Sequence, residues 1–98
     1  MPTYVTLLNF TQDGIENMKD SPERLEQANE LTRSLGGEPI AFYLTMGHYD
    51  GVYVYEAPDD AAATRGAITT AMGGAVRTET LRAFDEEEYG DIIEQLPG

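Results

Sequence analysis

Apolar and polar positions alternate along Thr3–Phe10, where Tyr4, Thr6, Leu8 and Phe10 are set against Val5, Leu7 and Asn9. Period two with β-branched and aromatic residues predicts a first strand. The period then lengthens. Thr11 offers a capping oxygen to a short helical turn that reaches Met18. Ser21-Pro22-Glu23 predicts a fresh helix start: a cap, a proline whose missing N–H is harmless there, and an acid near the positive helix end. Leu25, Ala28, Leu31 and Leu35 recur at helical spacing, with Glu23, Glu26, Gln27, Glu30 and Arg33 on the other side. Gly36-Gly37 supplies the stop, because glycine accepts the left-handed backbone of a helix C-terminus.

The second half repeats this grammar. Ile40–Met46 and Val52–Glu56 predict two strands joined through the turn Gly47-His48-Tyr49-Asp50-Gly51. Asp59 predicts a cap for an alanine-rich helix reaching Met72, closed by Gly73-Gly74. Ala75–Phe84 alternates again as a fourth strand. Asp85 caps a last helix, whose first turn holds Glu86, Glu87 and Glu88 and whose stripe is Tyr89, Ile92, Ile93 and Leu96.

The order β-α-β-β-α-β-α divides into two β-α-β halves with right-handed crossovers. The expected fold is therefore α+β: a ferredoxin-like antiparallel sheet with helices on one face and an added C-terminal helix, in one domain over residues 1–98. Helices cover only one face of such a sheet. Strands 1 and 3 each separate an aliphatic side from a Tyr and Thr side, and Ala41, Tyr43 and Thr45 alternate with Phe42 and Leu44 in strand 2. Tyrosine has an apolar body and a polar tip suited to an interface. The expectation is that Tyr43, Tyr53 and Tyr55 lie on the open face and are buried where two sheets pack in a homodimer.

Charge narrows the partners. Six Lys plus Arg against eighteen Asp plus Glu give −12. Nucleic acid and anionic membranes both require a cationic footprint, so neither is expected. With no cysteine, disulfides and thiolate chemistry are excluded. No apolar run is long enough for a membrane span, and a cytoplasmic protein is expected.

Several stretches in order resemble the GYD family: Tyr4–Thr11, Lys19–Arg24, the namesake pattern at Gly47-His48-Tyr49-Asp50, Pro58–Asp60 and Val76–Phe84. The resemblance spans nearly the whole chain and implies a dimeric α/β barrel. It implies no particular activity, because a fold does not fix a function.

The residues themselves offer one compact polar cluster, at the central turn. His48 is the only histidine, the side chain that titrates near neutrality. It is the candidate general acid or base, with Asp50 or Glu56 to orient it. Asn9, Tyr43 and Tyr49 are candidate ligand-binding residues beside it, at the mouth of a cleft between sheet and helices for an apolar aromatic compound. The competing explanation is structural: Asp50-Gly51 is a turn dipeptide whose carboxylate binds local backbone. One histidine and no cysteine make a metal centre or haem site unexpected, and no cofactor is expected. The preferred reading is a homodimeric or larger domain with no established activity; the alternatives are a cofactor-independent enzyme or small-ligand binder, and a pure assembly module joined through its edge strands.

Overall fold

A computed structural model describes residues 1–98. The elements are β1 (Thr3–Phe10), α1 (Gln12–Glu16), a 3₁₀ turn (Met18–Asp20), α2 (Ser21–Ser34), β2 (Glu38–Leu44), β3 (Gly51–Glu56), α3 (Asp60–Met72), β4 (Val76–Ala83) and α4 (Glu86–Glu94). Four antiparallel strands lie in the order β2-β3-β1-β4. This is the α+β, ferredoxin-like arrangement that the order of elements predicts. No helix is long and apolar enough to cross a membrane.

The helix ends follow the local chemistry, with one correction. Thr11 accepts from the Gly14 amide at 3.1 Å, and Asp59 accepts from the Ala62 amide at 2.8 Å. Asp85 and Glu88 form a reciprocal capping box at α4. Ser21, however, is not a cap. The 3₁₀ turn runs directly into α2, and the Ser21 amide is already bonded to the Met18 carbonyl. Gly36 and Gly74 take the left-handed backbone expected after a helix, with φ of 86° and 79°.

β2 starts earlier than its apolar run, because Glu38 pairs with Glu56. An irregularity between Pro39 and Ala41 resets its register, so that Phe42 pairs with Tyr53 and Tyr43 with Val52. Paired residues share a face. Tyr43 therefore lies with Val52 and not with Tyr53, contrary to the sequence-based grouping.

The two faces of the sheet are also the reverse of expectation. Tyr4, Thr6 and Leu8 are buried beneath the helices, while Val5 and Leu7 are only partly covered. Tyr4, Tyr53 and Tyr55 stack as a column, with centroids 5.6 and 5.3 Å apart. Their hydroxyls account for the choice of side. Tyr4 reaches Asp60 on α3, and Tyr53 bonds Asn29 and Thr32 on α2 at 2.9 and 3.0 Å. Buried phenols need such partners, and the small Ala62 and Ala63 of α3 leave room for the rings. Tyr53 and Tyr55 are thus a wall within the chain. The open side carries Val5, Leu7, Val52, Val54, Tyr43 and Leu81.

Candidate functional site

The central turn is built around Asp50. Its carboxylate accepts from the Phe10 amide at 2.9 Å, and its own amide donates to the Leu8 carbonyl at 2.8 Å. Its carbonyl accepts from the Thr45 amide at 2.9 Å, while the Thr45 hydroxyl donates to the Tyr49 carbonyl at 2.7 Å. These bonds fasten the β2–β3 connection to the end of β1, where backbone groups would otherwise lack partners. His48 is exposed at the tip. The Asp50 carboxylate is directed to the Phe10 backbone and makes no hydrogen bond to His48.

Tyr49 turns toward the open side. Its hydroxyl donates to the Glu79 carboxylate at 3.2 Å, and that negative charge, more than the bond itself, pushes the Tyr49 phenol up. Asn9 pairs with Arg77 and shares the parity of Val5 and Leu7, and Tyr43 stands 62% exposed opposite Val52. The structure thus gathers Asn9, Tyr43, Tyr49 and Glu79 along the open aliphatic face. It does not gather them at a mouth between sheet and helices, because their strand parity points away from the helices.

The cleft lies on the other side. It occupies about 810 Å³ between the sheet and helices α2 and α3. Leu25, Leu31, Phe42 and Ala67 contribute to its apolar wall, and Thr6, Thr78 and Thr80 to its floor. None of Asn9, Tyr43, His48, Tyr49 and Asp50 lines it. A pocket between sheet and helices is expected from the sequence, but its lining is not the turn cluster expected at its mouth. The available signal for its lining was the run of small residues in α3, Ala62, Gly66 and Ala67, beside the leucines of α2.

A third feature is α4. It is joined to the body by Arg82, whose guanidinium lies 3.4 Å from the Glu88 carboxylate and 4.4 Å over the Phe84 ring. Its predicted stripe of Tyr89, Ile92, Ile93 and Leu96 remains exposed.

Comparison with known proteins agrees with these motifs. A Thermus thermophilus protein named glutamine synthetase and cystathionine beta-lyase binding protein is 42% identical over 97 residues, covering 98% of this chain and 99% of that protein. A crystal structure of another Thermus thermophilus protein superposes with a TM-score of 0.54 at 23% identity, covering 87% of this chain and 95% of that one. At that identity the likeness speaks to the fold alone. The family model described as GYD domain matches residues 4–93. With so much of the chain matched, this protein belongs to the GYD domain family.

Proposed function

We propose that this protein is a non-catalytic binding domain that works as a homodimer and docks onto metabolic enzymes. The observation that carries the reading is the open aliphatic sheet face. Val5, Leu7, Val52 and Val54 form its centre, and Tyr43 and Leu81 are 62% and 45% exposed. A contiguous apolar patch of this kind marks an interaction surface.

The size of the uncovered surface suits a second copy. The chain exposes 6692 Å², whereas a compact protein of 10.8 kDa exposes about 5,500 Å². Its radius of gyration of 14.8 Å also exceeds the roughly 13 Å of a compact chain of this length. A standard interface removes about 800 Å² from each partner. Two sheets packed face to face would cover the patch and form a dimeric α/β barrel, with Asn9, Tyr49 and Glu79 at its polar rim.

The name of the Thermus thermophilus relative supports the second part of the proposal. The relative's partners, glutamine synthetase and cystathionine beta-lyase, are the first to test here. The proposal includes a cytoplasmic setting, in keeping with a chain that has no cysteine. The experiment is light scattering after size exclusion of the purified protein, alone and mixed with glutamine synthetase and cystathionine beta-lyase from its own source. A dimer that co-elutes with either enzyme supports the reading. A dimer that co-elutes with neither removes the enzyme-docking part.

A further inference from the structure

The cleft between the sheet and α2 and α3 is not used by the docking just proposed. Packed interiors leave few voids larger than a water molecule. A cavity of about 150 Å³ already admits benzene, and this cleft is about 810 Å³, within the range of small-molecule pockets. Its size has a sequence cause: where α3 faces the sheet it presents Ala62, Gly66 and Ala67.

The lining is also unusually neutral for this chain. The protein has 18 acidic and 6 basic residues, yet among the 28 residues around the cleft only Arg24 is charged. Arg24 is already engaged, donating to the Asn17 and Gly14 carbonyls at 2.9 and 3.4 Å. Asp13, Asp20 and Glu23 stand with it around an adjoining recess. An anion entering there would meet carboxylates at close range and a net charge of −12. Hydroxyls supply most of the remaining polarity. Thr6 and Thr80 are paired at 2.8 Å, and Tyr53 is held by Asn29 and Thr32. Thr78 borders the cleft with a hydroxyl that makes no hydrogen bond in the chain.

We propose that this cleft binds a small, uncharged, apolar molecule carrying one polar group, which the Thr78 hydroxyl meets inside an apolar wall. A hydroxyl can donate or accept, so the polar group is a carbonyl, an O–H or an N–H.

The test uses two fluorescent probes with the same aromatic body. N-phenyl-1-naphthylamine is neutral, and 1-anilinonaphthalene-8-sulfonate adds one negative charge. The neutral probe should bind saturably, one per chain, and at least about tenfold more tightly than the sulfonate. Ala28→Phe, which fills the cleft from α2, should weaken it by about tenfold or more without lowering the melting temperature. Thr78→Val, a smaller change, should weaken it by about threefold to tenfold. Should Ala28→Phe fail to fold, Thr78→Val and the comparison of probes still decide. Absence of saturable binding, or equal binding of the two probes, overturns the proposal. So does neutral-probe binding seen only in Ile92→Asp, which would assign the cleft to the apolar stripe of α4 from a second copy.

Discussion

The Tyr4 hydroxyl donates to the Asp60 carboxylate at 2.5 Å, joining the start of β1 to the first turn of α3. The phenol is buried while the acid is exposed. Hydrogen bonds to charged groups are stronger than neutral ones, and an exposed partner tempers the gain. Tyr4→Phe should therefore cost about 1–2 kcal/mol in urea unfolding while leaving the ring column intact. A loss near zero would show that stacking alone holds this corner.

The same contact sets the alkaline limit. Burial, then the bond to Asp60 and its charge, push the Tyr4 phenol from 10.0 up to about 12. The unfolded chain loses this proton at lower pH than the folded chain does. Stability is thus full below pH 10 and falls as pH rises from 10 towards 12. Tyr53 and Tyr55, raised chiefly by burial, contribute in the same direction. Urea midpoints should decline across that window, and less steeply in Tyr4→Phe. A flat profile would contradict the assignment.

Asp50 and His48 are neighbours with different expected roles. Asp50 satisfies the Phe10 amide, so Asp50→Ala should destabilise by about 1–3 kcal/mol through an unpaired backbone group. His48 is exposed at the tip, and His48→Ala should change stability by less than about 0.5 kcal/mol. It should also leave enzyme docking intact. Thermal unfolding of both variants, with the mixing experiment on His48→Ala, checks this. Loss of docking in His48→Ala would place the turn in the enzyme-docking surface.

The order of elements, the helix stops and the sheet topology were legible because period, caps and paired glycines act locally. The side taken by each sheet face was not. Alternation separates Tyr4 from Val5 but does not say which lies under a helix. That depended on long-range partners, Asp60 for Tyr4 and Asn29 with Thr32 for Tyr53. The position of Tyr43 was equally hidden, since its register with Val52 follows an irregularity after Pro39. The polar residues of the turn and a pocket between sheet and helices were legible in the sequence, whereas the residues lining that pocket were not. The pocket arises from the small residues that α3 sets toward the sheet, Ala62, Gly66 and Ala67.

Interface and helix-facing positions now predict opposite outcomes for neighbouring residues. Val54 lies on the open face, while Tyr53 lies under α2. Val54→Asp should separate the copies and retain the fold. Tyr53→Asp should instead lower stability by setting a charge in its half-buried place under α2.

Sedimentation velocity of the wild type and Val54→Asp at micromolar concentration is the most direct test. The account predicts a wild-type species of twice 10.8 kDa and a folded Val54→Asp monomer. A wild-type monomer, or a Val54→Asp variant that stays dimeric, would contradict the claim that the open aliphatic face joins two copies.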